Sequence, residues 1–219
     1  MIQKRKRAFT LIELLVVIAV ISILAAILFP VYNNTQLKAK VSRVHTELAQ
    51  VAYAVELYRD DWGGYPMSSM ACERVDDYQE IPPVLFQKGY LSIHKIYDPF
   101  NPVLDAEEAQ KRKFRTYKYL APGPGYHNQG ALTTIHILVP EDYPINESDK
   151  LIRYGSPWNV KKCPIKYAIW SVGPGGNIPL YISGETGYYA RKLPVPKKEW
   201  YPYRKDGIIV RFSDGRKSP

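Results

Sequence analysis

Apolar positions along the chain follow three successive patterns. From Ala8 to Phe29 the sequence AFTLIELLVVIAVISILAAILF is apolar almost throughout and carries one ionisable residue, Glu13. As a helix this run of about 22 residues would reach about 33 Å, enough to cross a hydrocarbon core. Beyond Pro30, Leu37, Val41, Val44, Leu48, Val51, Val55 and Tyr58 recur at alternating intervals of four and three. That spacing predicts an amphipathic helix from about Leu37 to Tyr58, its stripe packed on the protein's own sheet rather than in a coiled coil. Gly63 and Gly64 should end it, and Pro66 bars continuation. From Met67 to about Asn101 turn residues dominate, Pro82-Pro83 and Asp98-Pro99 among them, which predicts a loop with short helical pieces. Period-two patterns then predict strands at Phe114–Ala121, Ala131–Val139, Ile165–Val172, Leu180–Ser183 and Gly207–Phe212. The expected fold class is α+β, a long N-terminal helix with a transmembrane half and an amphipathic half, packed on a small antiparallel β-sheet.

Composition refines this picture. In 219 residues, 46% hydrophobic and 23% charged, the chain can bury a core beside a membrane segment. Four of its thirty basic residues, Lys4 to Arg7, precede the apolar run, so their removal would lower the net charge from +9 to +5. That residual excess is ordinary for this length, and nucleic-acid binding is not expected from it. Basic residues directly before a span mark its cytoplasmic side, which puts the bulk of the chain outside the cytoplasm. There Cys72 and Cys163 could close a disulfide, with two buried free thiols as the alternative. They cannot build a thiolate metal site by themselves.

On residues alone the first thirty positions leave three readings open: a signal anchor, a cleaved secretory signal, and a segment that needs its carboxylate. Glu13 argues for the third, because an ionisable group in a bilayer costs about 3 kcal/mol at the centre and is usually functional. The run also exceeds the apolar stretch of a secretory signal, about 7–15 residues.

The stretch Lys4-Arg5-Lys6-Arg7-Ala8-Phe9-Thr10-Leu11-Ile12-Glu13-Leu14-Leu15-Val16-Val17 resembles the class III signal of type IV pilins and type II secretion pseudopilins. The resemblance implies a pilin-like protein with a basic leader over 1–8, a transmembrane assembly helix over 9–30, an amphipathic helix over 31–64 and an extracytoplasmic domain over 65–219. It implies that Ala8 ends the leader, where the family most often has glycine, that Phe9 is the N-methylated mature terminus, and that Glu13 is the acid required for assembly. Pro30 matches a proline within the family's long helix, although by itself it could equally end the span with Asn34 or Thr35 capping a second helix. The partners implied are a prepilin peptidase, other copies or homologous subunits, and an inner-membrane assembly platform. The location implied is a single inner-membrane pass, with the C-terminal domain periplasmic, leading into a filament.

Leu57-Tyr58-Arg59-Asp60-Asp61-Trp62-Gly63-Gly64-Tyr65-Pro66 is similar to the helix exit of many pseudopilins. Asp98-Pro99-Phe100, Tyr117-Lys118-Tyr119 and Ile169-Trp170-Ser171-Val172-Gly173-Pro174-Gly175-Gly176 resemble the major pseudopilin of type II secretion. Many such proteins carry calcium after the last motif. Here Gly175 stands where aspartate is frequent and Glu185 is the only acid between Gly173 and Lys198, so no calcium site, and no cofactor, is expected.

No catalytic motif is present, and His45, His94, His127 and His136 show no metal-binding spacing. An enzyme is therefore not expected. Gly123-Pro124-Gly125 reads as a turn. Lys192, Lys197, Lys198, Arg204 and Lys205 interleave with Trp200, Tyr201 and Tyr203, a pattern able to stack on a nucleic-acid strand, though prolines 194, 196 and 202 favour an extended surface tail. The rival functions are thus an adhesin or DNA-capturing minor pilin, and a soluble extracytoplasmic binding protein with a conventional cleaved signal.

Overall fold

A computed structural model describes residues 11–70, 79–92, 96–103, 107, 110, 114–127, 130–135, 137–138, 153–154, 163–176, 180–181, 189–190 and 197–219. The chain divides into two compact units, Met1–Lys40 and Val41–Pro219.

Helix α1 spans Leu11–Trp62 and includes Pro30, so the proline does not end it. In the first unit every described residue from 11 to 36 is exposed. Two polar side chains there satisfy themselves on the helix backbone, Ser22 Oγ donating to the Ile18 carbonyl at 2.7 Å and Thr35 Oγ1 to Val31 at 2.9 Å.

In the second unit the stripe is buried as its spacing predicts: Val44, Leu48, Val51 and Val55 are all fully inaccessible. The helix exit follows the sequence too. Gly63 takes φ 72° and its N–H donates to the Arg59 carbonyl, a left-handed cap that glycine adopts without strain.

Strand β1 is Ser68–Met70 and α2 is Pro83–Gln87, which opens on proline, where the missing N–H costs nothing. Among the described residues the remaining strands are β2 Lys118–Leu120, β3 Gly123–His127, β4 Ala131–Ile135, β5 Ile137–Leu138, β6 Arg153–Tyr154, β7 Ala168–Ser171, β8 Leu180–Tyr181, β9 Tyr189–Ala190 and β10 Ile209–Phe212. They form two three-stranded sheets, β10-β7-β2 and β1-β3-β4, and the pairs β5-β6 and β8-β9. The first sheet is antiparallel, with Trp170 opposite both Val210 and Lys118. In the second, β1 runs parallel to β3, so the strands form several small sheets, one of them mixed, rather than a single antiparallel one.

Two local expectations are corrected. Gly123-Pro124-Gly125 is the start of the central strand β3, not a turn. A Cβ at Gly125 would collide with Ile135 and lie 2.6 Å from the Ser68 carbonyl, so glycine is there to let three strands close up. Nor is the segment after Lys197 an extended surface tail. A 3-10 turn at Lys197–Glu199 leads into Trp200, which is 3% exposed and meets Phe212 with ring centroids 5.9 Å apart. Burying an indole outweighs the extended preference of the prolines around it. Trp200 joins Leu120, Ile135, Ile165, Trp170 and Val210 in the core.

Candidate functional site

The first candidate surface is α1 itself. Leu11, Ile12, Ile27, Leu28 and Phe29 are each more than 60% exposed, an apolar surface that water would not tolerate in a solitary globular protein. By length and composition the helix can cross a membrane. Glu13 lies exposed in its first turn, where the positive end of the helix dipole favours a carboxylate. About 17 residues further on, about 26 Å along the axis, Pro30 sits within the helix. Ala25, Leu28, Phe29, Val31, Tyr32 and Thr35 line a shallow apolar concavity of about 580 Å3 there. Ala8 and Phe9 lie outside the described residues.

The second candidate is a buried latch formed by motif segments far apart in sequence. Asp98 is wholly inaccessible. Its Oδ1 accepts from Ser171 Oγ at 2.8 Å and from the Phe100 N–H at 3.0 Å, and its Oδ2 from the Val172 N–H at 2.9 Å. Ser171 Oγ in turn accepts from the Gly173 N–H at 3.0 Å. Burial pushes the Asp98 carboxyl up to about 6, opposed by these three donors and by the charge of Lys118. The latch thus ties the Asp98-Pro99-Phe100 turn to the end of β7, and β7 pairs with β2 along the sheet, so that the three separate motif segments meet at one place.

Glu47 connects this region to α1. It accepts from Tyr117 Oη at 2.6 Å and from Arg43 Nε at 2.6 Å. Burial, and then the bond to Glu47, raise the Tyr117 phenol well above its ordinary range. Sequence reading missed this network. Its signal was Glu47 itself, an acid next to Leu48 and three residues after Val44, on the side of the helix that the stripe buries.

Among the described residues no three His, Cys, Asp or Glu side chains cluster as metal ligands. Gly175 lies in the turn closed by the Gly176 N–H donating to the Gly173 carbonyl at 2.8 Å, and Glu185 is outside the described residues. Cys163 is a free, buried thiol whose pKa burial raises. Cys72, the other half of the candidate disulfide, lies outside the described residues. His94 and His136 do as well. In the aromatic, basic segment, Trp200 is committed to the core, and Arg204 is paired with Asp206 and Glu199. Lys192 lies outside the described residues, and among those described this leaves Tyr203, Lys198 and Lys205 exposed, a thinner surface for a nucleic-acid strand than the sequence pattern offered.

Residues 3–29 match the family described as the prokaryotic N-terminal methylation motif. Over 52 residues the chain is 50% identical to fimbrial protein EcpB of Eikenella corrodens, 24% of this chain and 33% of that protein. Over 51 residues it is 49% identical to the type IV major fimbrial protein FimA of Dichelobacter nodosus, 23% of this chain and 33% of that one. With the type II secretion system core protein G of Pseudomonas aeruginosa it shares 29% identity over 125 residues, 55% of this chain and 78% of that protein. The chain therefore spans about a third of the length of the fimbrial relatives and over three quarters of the secretion relative. No solved structure matches it.

Proposed function

We propose that this chain is a structural subunit of a type II secretion pseudopilus or type IV pilus-like filament, made as a prepilin and polymerised through α1. The observation that carries this reading is the methylation motif over residues 3–29, continuous with a helix whose apolar surface is left uncovered. Such a helix needs two environments in succession, a bilayer and then the helices of neighbouring subunits, and its composition suits both. The similarity to a secretion core protein over 125 residues, against 51 to 71 for the fimbrial proteins, favours the pseudopilus.

In this reading a prepilin peptidase cuts after Ala8 at the cytoplasmic face, the new amine of Phe9 is methylated, and residues 65–219 lie in the periplasm. Glu13 then pairs with the Phe9 amine of an adjacent subunit in low dielectric, where an unmatched charge would be costly. Pro30 supplies no N–H to the helix ladder, which gives α1 a weak point about where it would leave the bilayer. An inner-membrane platform would feed subunits into the filament. The role is that of a building block and involves no catalysis.

The intact mass of membrane-extracted protein tests this. The expected product begins at a methylated Phe9 and keeps the apolar helix. A mature terminus near Ile27 would mean a conventional secretory signal and would overturn the filament reading.

A further inference from the structure

Between the second half of α1 and the C-terminal hairpin lies a polar cleft of about 490 Å3, lined by Tyr53, Glu56 and Arg59 from the helix and by Tyr167, Arg211 and Ser213 from the other side. Ala49 and Ala52 on the helix leave it room. Its charges do not balance. Glu56 is paired with Arg59 at 2.5 Å, and Arg59 also holds Asp60 at 2.6 Å. Arg211, half-buried on β10, has neither an ion pair nor a side-chain hydrogen bond among the described residues. Lys217, bridged to Arg211 through the backbone, brings a second cation to the same side. Their joint field is felt at His45, one turn before Ala49, where burial first and then Lys217 and Arg211 disfavour the protonated ring. Hydroxyls complete the lining. Ser213 Oγ already accepts from the Lys166 N–H at 2.8 Å, which leaves its proton to be donated.

A half-buried guanidinium with no acid paired to it among the described residues, set beside the hydroxyls of Tyr53 and Ser213, suits a carboxylate, whose two oxygens match the guanidinium fork. One surplus positive charge inside the cleft also matches one carboxylate. The chain carries a stretch rich in such groups, residues 141–149, EDYPINESD, with four acids and no base. We propose that this cleft receives a carboxylate from the 141–149 segment of a second copy of the chain, with Arg211 as its anchor. The proposal rests on the filament reading, since it needs copies side by side, and it adds a polar contact in the second unit to the association of the helices.

Full-length protein in detergent is mixed with a labelled synthetic peptide of residues 139–151, and binding is read by fluorescence anisotropy. Peptide affinity should fall at least about tenfold in Arg211→Gln, survive largely in Arg211→Lys, and weaken as salt is raised. Melting temperatures of all variants establish that they are folded. In cells, Arg211→Glu should reduce sheared filaments, and reversing Glu141, Asp142, Glu147 and Asp149 to lysine in the same chain should restore them. Equal peptide binding by Arg211→Gln, or absence of rescue by the reversed acids, would overturn the proposal. So would displacement of the peptide by acetate at matched ionic strength, which would make the cleft a site for free anions. Failure of the filament reading looks different: the mature terminus would not be Phe9, and the original chain would yield no filaments while the peptide result stood.

Discussion

At the scale of single residues, Asp98 is the side chain on which most of the latch turns. Its carboxyl is raised to about 6 by burial, whereas in the unfolded chain it would titrate near the ordinary value of 3.8. The folded state therefore holds this proton more tightly than the unfolded state does. Asp98's share of the stability is greatest below about pH 4, declines as pH rises to about 6, and is flat above that. Asn at this position keeps the shape but turns an amide N–H2 toward a backbone donor, either at Phe100 or at Val172. Leaving one buried donor unsatisfied costs about 1–3 kcal/mol. Asp98→Asn should thus be destabilised at every pH, and the gap to the original protein should narrow between pH 4 and pH 6 as the original loses its advantage. Urea unfolding of both proteins at pH 4.5, 6 and 7.5 checks this, and a gap that widens over that range would contradict it.

At the scale of elements, legibility tracked how local the governing contacts are. The stripe from Val44 to Val55 and its glycine stop at Gly63 could be read from periodicity, because the helix buries a face set by its own spacing, and β7 and β10 could be read as short apolar runs, buried at nearly every position. Strand β3 could not. Its glycines and proline speak for a turn, and only the approach of Ser68 and Ile135 from other strands explains them. The motif segments around Asp98 and Ser171 could each be read, but their meeting, across 73 positions, could not. Gly173 belongs to this non-local kind. It has φ 72°, and a Cβ there would collide with the Gly207 carbonyl. Gly173→Ala combines left-handed strain with a clash against backbone that has little room to move, since a Cβ at Gly207 would itself lie 2.6 Å from the Glu199 carbonyl. The expected loss is about 3 kcal/mol or more. Thermal melts should show it, and a melting temperature within a degree or two of the original would mean that the turn can rearrange.

At the scale of the whole molecule, the two units obey opposite rules, one leaving its apolar residues uncovered and the other burying them. The candidate assembly residue could be picked out in the sequence because a bilayer imposes a simple demand, and the exception to it, Glu13, stands out against an uncharged run. That exception gives the decisive test. In Glu13→Leu the subunit loses a group that costs about 3 kcal/mol at the centre of a bilayer and less near its interface, so insertion should be as good as before or better. Leader removal, proposed to fall between Ala8 and Phe9 upstream of the change, should persist. Assembly is another matter, since the Phe9 amine of the adjacent subunit would then enter a low-dielectric setting with no carboxylate to meet it. Stranding one member of a buried pair costs about 3–5 kcal/mol, enough to lower the equilibrium for each added subunit by about two to four orders of magnitude. Glu13→Asp, which keeps the charge on a shorter stem, should lie between the two. Cells expressing each form are fractionated, membrane protein and mature mass are compared, and sheared filaments are quantified. Normal membrane levels and processing with few or no filaments is the expected pattern for Glu13→Leu. Filaments at the original level would make Glu13 a tolerated polar residue and would remove charge pairing from the account of assembly.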